Sequence, residues 1–256
     1  NDSGTVIISD SLIESNTATS GGGGIMNDDG IATVRNSNIT GNQSAFDGGG
    51  IYNESGQFDV FNSTFTNNSS PLGGGIENYL GTVQIVGSTF TGNSGEYGGG
   101  VENFEAFTLI QQSTFSGNNA DFGGGVDNFF GTLIIEDSVL SNNTAAFSGG
   151  GIFTEDAHLE VHQSTVSGNN ANDGGGIGAI LSTGSVINGT ITQNNGGGIA
   201  QDSTTFLIQN SIVAGQQTGP DTTGTFAQSS LNNILGIPQG MVLTDVLDPL
   251  LMNNGG

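Results

Sequence analysis

The sequence predicts an all-β chain folded as a right-handed, single-stranded parallel β-helix, a solenoid of about 25 residues per coil and about nine coils. Three observations predict it. Glycine runs recur at a near-constant interval, an Asn recurs in phase with them, and alternating apolar and polar residues lie between the two.

The glycine runs are each followed by an aliphatic residue, at Ile25, Ile51, Ile76, Val101, Val126, Ile152, Ile177 and Ile199, with successive spacings of 26, 25, 25, 25, 26, 25 and 22. Asn16, Asn42, Asn68, Asn93, Asn118, Asn143, Asn169 and Asn194 keep the same interval, each three residues after Ile13, Ile39, Phe65, Phe90, Phe115, Leu140, Val166 and Ile191. Helical solenoids need longer repeats, about 33 residues or more. The segment "GTVQIVGSTF" (81–90) alternates apolar and polar and is rich in β-formers, while Gly and Asn are poor helix residues. One coil is therefore expected to carry strands around "GGIEN" (74–78), "TVQIV" (82–86) and "STFTGN" (88–93). Stacked about 4.8 Å apart, the coils make a rod roughly 40 Å long.

In such a rod, equivalent positions of successive coils are neighbours. The recurrent Asn then forms a ladder of side-chain amides at the turn after the third strand, where Asn tolerates left-handed backbone. Asn27, Asn53, Asn78, Asn103 and Asn128 form a second ladder. Glycine triplets allow close bends. Val83, Ile85, Leu133 and Ile135 fill the bore, and Phe65, Phe90 and Phe115 form an internal column. All of these read as scaffold, because packing alone demands recurrence at every coil.

The repeats are expected over 1–214. The segment 215–256 reads as an irregular C-terminal cap that covers strand edges and an open bore. At the other end "GTVIISDSLI" begins within a coil, so the N-terminal edge is a candidate for self-association or for continuation into a longer chain.

Composition narrows the partners. The net charge is −23 and Arg35 is the only base, which disfavours nucleic acid and anionic membrane surfaces and favours cations. No cysteine is present, as fits bacterial export or a cytosolic protein. No run of 18 apolar residues occurs, so no membrane insertion is expected.

Four constellations are candidates for function. His158, Glu160 and His162 share one strand face in "HLEVH", with Leu159 and Val161 turned to the bore, and are candidate metal ligands. Glu77, Glu102 and Asp127 hold one register in three coils, and Ca²⁺ is the candidate cation to relieve their repulsion, against solvated side chains or raised pKa values. Tyr79, Phe104 and Phe129, with Phe130 beside them, form an aromatic row that would serve as a platform for polysaccharide or a surface protein if exposed, and as simple stacking if covered. Outward Thr pairs such as Thr64 with Thr66 and Thr89 with Thr91 read as a solvated β face. For catalysis, Arg35 alone cannot neutralise a lyase enolate, and the acid pairs Asp28 with Asp29 and Glu155, Asp156 with Glu160 are local.

The paired "GGGI" or "GGGV" and Phe-x-x-Asn motifs resemble the polymorphic outer membrane protein repeats (GGA-I and FxxN) and related bacterial right-handed β-helix surface proteins, over about residues 11–200. Here a third Gly stands for the family's Ala, and Phe gives way to Ile39, Leu140, Val166 and Ile191. The resemblance implies an exported passenger used in adhesion. The expectation is a non-enzymatic extracellular or cell-surface structural or adhesive module. A polysaccharide-degrading β-helix enzyme and a self-stacking filament subunit are the alternatives.

Overall fold

A computed structural model describes residues 1–203, 205–224 and 233–235. Among these residues the chain winds through three parallel sheets of eight, nine and ten strands, each strand paired with its equivalent one coil away. In one coil the first sheet receives Ile76–Tyr79, the second Thr82–Val86 and the third Thr89–Thr91. These are the three strands expected from the pattern: the second has the expected bounds, the first starts later and runs on to Tyr79, and the third is shorter at both ends.

The register is strict. Ile76 pairs with Val101, Val83 with Thr108, and Phe90 with Phe115. Alternation then places one set of side chains in the bore: Ile76, Val83, Ile85 and Phe90 are fully buried, as are Leu133 and Ile135. Phe65, Phe90 and Phe115 stack with ring centroids 4.5 Å apart. A parallel sheet has all its strand-to-strand connections outside the strands, so the turns must be equally repetitive.

The Asn ladder is one such turn. The backbone N–H and the Nδ2 of Asn93 both donate to Asn118 Oδ1, each at 3.0 Å, while Nδ2 also donates to the carbonyl of Phe65 at 3.0 Å. Each rung from Asn42 to Asn194 thus uses its amide as donor and acceptor. The last rung, Asn194, passes its donors to Gln216 Oε1. The left-handed residue is not the ladder Asn itself but the one before it: Asn67, Gly92, Gly117, Asn142 and Gly168 all have φ between 54 and 67°. The ladder Asn is held by hydrogen bonds rather than chosen for a left-handed backbone. The second ladder is also present, with Asn53, Asn78 and Asn103 each donating to the next Asn at 2.9, 3.1 and 2.8 Å.

A third ladder lies in the turn between the second and third sheets. Ser63, Ser88 and Ser113 each receive the preceding coil's backbone N–H on Oγ. Its signal, a Ser before most third-sheet strands with Gly189 as an exception, stands in the sequence but is diluted by the abundance of Ser and Thr.

The glycine run needs its lack of a side chain. A Cβ on Gly99 would lie 2.4 Å from the carbonyl of Gly124, and Gly98 has φ 57°. Just before the run the chain makes a short extra strand that the pattern did not reveal: Asn119–Phe122 pairs with Thr144–Ser148, and Thr17–Ala18 with Gln43–Ser44. This added segment forms a ridge beside the first sheet. Of the expected cap, 225–232 and 236–256 lie outside the described residues, and Ile234–Leu235 extends the third sheet by pairing with Ile212–Val213. Among the described residues no helix is long and apolar enough to cross a membrane.

Candidate functional site

The ridge turns the outward face of the first sheet into a groove. The sheet strands there read Ile-Glu-Asn-Tyr (76–79), Val-Glu-Asn-Phe (101–104) and Val-Asp-Asn-Phe (126–129). Positions one and three point to the bore. Positions two and four point outward, so Glu77, Glu102 and Asp127 form one outward column and Tyr79, Phe104 and Phe129 the other.

On an open sheet face both columns would be wet. Here the ridge leans over them and the carboxylates are buried, Glu102 at 3% exposure and Asp127 at 1%. The space between ridge and sheet is a cleft of about 450 Å³, lined among others by Asp47, Tyr52, Tyr97, Phe153 and Glu155. Tyr52 and Phe153 continue the floor column at either end of the three acids.

The walls are aromatic. Phe104 lies 5.6 Å from Tyr79 and 5.4 Å from Phe129, in tilted contacts, and Phe130 meets Phe129 at 4.2 Å. The aromatic row is half-exposed, and Phe130, at a left-handed turn with φ 55°, is 50% exposed. On the ridge side Tyr97 stacks on Phe122 and Phe122 on Phe147, at 5.7 and 5.2 Å, while Phe122 also reaches Phe153 across the floor at 5.1 Å. The sheet row follows from strand alternation in the sequence, whereas the ridge row lies on a strand that the repeat pattern does not reveal. Tyr97 and Phe122 nevertheless share a place, directly before a glycine run, and Phe147 stands one residue earlier, before Ser148.

The floor is electrostatically loaded. Glu77 accepts a hydrogen bond from the Gly48 N–H at 2.9 Å, yet burial and the charge of Asp47 lift its carboxyl to about 8. Burial, with Asp127 and Glu77 adding like charge, pushes Glu102 well above the carboxylate range despite a backbone bond from Gly73. Asp127 is pushed up by burial and then by Glu155. Burial, with Glu77 adding to it, also raises the Tyr52 hydroxyl. Glu102 Oε2 and Asp127 Oδ1 are buried with no hydrogen-bond partner. Asp127 is one methylene shorter than Glu77 and Glu102.

The histidine constellation lies elsewhere, on the outward face of the second sheet. Leu159 and Val161 are fully buried and the three polar residues face out, as alternation requires. Glu160 stands between the imidazoles: Oε1 is 3.1 Å from His158 Nε2 and Oε2 is 3.6 Å from His162 Nε2. His158 Nδ1 also contacts Thr183 Oγ1 at 2.9 Å, and His162 Nδ1 lies 3.8 Å from Glu136. The ring nitrogens are turned to these partners rather than to one shared point. Among the described residues no three His, Asp or Glu side chains are placed to hold a metal ion, so neither this set nor Glu77, Glu102 and Asp127 forms a coordination sphere.

These features define a class: a parallel β-helix repeat protein whose stacked coils carry an aromatic-walled groove with a carboxylate floor. Residues 137–155 match the model of the Chlamydia polymorphic membrane protein (Chlamydia_PMP) repeat. The matched stretch runs from the third sheet through Leu140-x-x-Asn143, the ridge and Gly149–Gly151 to the strand Ile152–Glu155, and so covers one passage between two coils. The chain is a parallel β-helix repeat protein, and the passage over residues 137–155 is similar to the polymorphic membrane protein repeat. No curated protein and no solved structure matches the chain.

Proposed function

We propose that the chain is a non-enzymatic, extracellular or cell-surface β-helix module that holds a partner, polysaccharide or surface protein, in the groove of its first sheet. The observation that carries this reading is the continuous aromatic row of Tyr79, Phe104, Phe129 and Phe130, left partly open to solvent beside a cleft. Aromatic rings offer large contact area with only two side-chain torsions to freeze, which suits a preformed binding face. The strict register supports the same reading, since rungs fixed from coil to coil keep the row rigid before any partner arrives. The match to a polymorphic membrane protein repeat supports a surface location.

The test is binding of the purified chain to arrays of glycans and of surface proteins, with the Tyr79→Ala/Phe104→Ala/Phe129→Ala variant beside it. Binding that disappears in the variant, with the β-sheet circular dichroism spectrum retained, is the expected result. Binding that persists unchanged overturns the assignment of the groove. Polysaccharide turnover abolished by Glu155→Gln or Glu160→Gln overturns the non-enzymatic reading.

A further inference from the structure

The hydrogen-bonding inventory of the groove is lopsided. Its floor offers Glu77, Glu102 and Asp127, its ends Asp47 and Glu155, and no Lys, Arg, Asn or Gln lines it. Glu77, Glu102 and Asp127 hold protons in the empty groove, and an entering cation favours their ionised form, in which they release the proton to solvent and only accept. The tyrosine hydroxyls of Tyr52, Tyr79 and Tyr97 are the polar exceptions. Sugar hydroxyls both donate and accept, so a glycan would leave its own acceptors poorly matched here. A primary ammonium donates three times and accepts nothing.

Two oxygens are already waiting for such a donor. Glu102 and Asp127 line the cleft, and Glu102 Oε2 and Asp127 Oδ1 are fully buried with no partner in the protein. An unmatched buried acceptor is unfavourable until a ligand satisfies it. The two residues are adjacent rungs, about 4.8 Å apart along the rod, close enough for one ammonium to bond both. The aromatic walls suit the rest of such a ligand, because alkyl stems pack on rings and cations are attracted to ring faces. A guanidinium is wider and planar, and a compact ammonium reaches a narrow floor more readily.

Resting on the reading that the groove holds a partner, we propose that the partner is a protein segment presenting lysine, whose ammonium enters between Phe104, Phe129 and the ridge and bonds Glu102 and Asp127. The protein's net charge of −23 favours approach of a basic segment over the wider surface. The groove then selects lysine by its alkyl stem and its three donors.

The experiment is calorimetric titration of the whole chain with an extended, terminally blocked peptide alternating Lys and Thr, at 0.15 and 0.5 M NaCl. The comparison arms are the same peptide with acetylated lysines, spermidine, Ca²⁺ alone, and the Glu102→Gln/Asp127→Asn variant. Exchange of acid for amide keeps shape and removes the groups that would ionise against the ammonium, and the variant's fold is checked by its retained unfolding transition. The expected result is saturable binding of the lysine peptide that survives the higher salt, falls at least about ten-fold in the variant and vanishes on acetylation. Equal binding of the acetylated peptide, or equal binding by the variant, overturns the inference. Spermidine or Ca²⁺ binding in the groove without the peptide overturns it in favour of a free cation. If glycan-array binding depends on the aromatic row while the peptide fails, the groove reading stands and the lysine inference falls.

Discussion

Two columns on this rod obey the same rule and end in opposite states. In the Asn ladder and in the acid column, like residues stack one coil apart in strict register. An amide carries donor and acceptor, so Asn93 bonds Asn118 and the column closes on itself. A carboxyl has no such paired donor and acceptor when ionised, and burial first, with like charge added, keeps Glu77, Glu102 and Asp127 protonated while two of their oxygens stay unmatched. Repetition in a solenoid is therefore scaffold where the repeated group complements itself. Where it does not, the column is strained and open to a ligand.

Exchanging the letters between the columns breaks the comparison most sharply. Asn93→Asp places a charge in the fully buried ladder and removes the donors to Asn118 and Phe65. A destabilisation of about 3–5 kcal/mol is expected, measured by urea unfolding at pH 8. The reverse exchange, Glu102→Gln, gives the acid column an amide donor and removes a group that burial holds protonated while the unfolded chain ionises it. It is expected to stabilise the chain by about 1–3 kcal/mol in the same assay.

The pH dependence follows from the raised carboxyls. A buried acid that keeps its proton in the fold loses it in the unfolded chain, so the unfolded state gains by ionising above about pH 4.3. Stability accordingly falls as pH rises from there until Glu77 ionises at about 8, with Asp47 and Glu54 as the like charges facing it. The slope is about 1.4 kcal/mol per pH unit for each such group, and Glu77→Gln is expected to remove one group's share. The smallest effect expected is that of Ser88→Ala. It deletes the Oγ that receives the Ser63 N–H at 3.1 Å, worth about 0.5–1.5 kcal/mol by thermal unfolding.

The scaffold was legible in the sequence because every rung votes for it. Eight glycine runs and eight Asn in phase establish the coil, and Phe65, Phe90 and Phe115 mark the bore. The groove was only half legible. Alternation placed Glu77 and Tyr79 outward, correctly, but outward suggested solvent. The burial of Glu77 depends on the ridge, whose strand Asn119–Phe122 is short, mixed in composition and set apart by no turn signal of its own. The histidine set was placed correctly on a shared face. Its pairing with Glu160 instead of a common ligand point depends on side-chain torsions that spacing does not report. The left-handed turn residue lies one position before the Asn that composition points to, because Asn is both a common left-handed residue and, here, a ladder rung.

The central claim, that stacked carboxyls in the groove hold their protons where stacked amides bond, is tested most directly by titrating the carboxyl carbons of ¹³C-labelled Glu and Asp by NMR. The account predicts that Glu77 titrates at about 8 and that Glu102 and Asp127 stay protonated well above the ordinary carboxylate range. Three carboxyls that all titrate near pH 4 would contradict it.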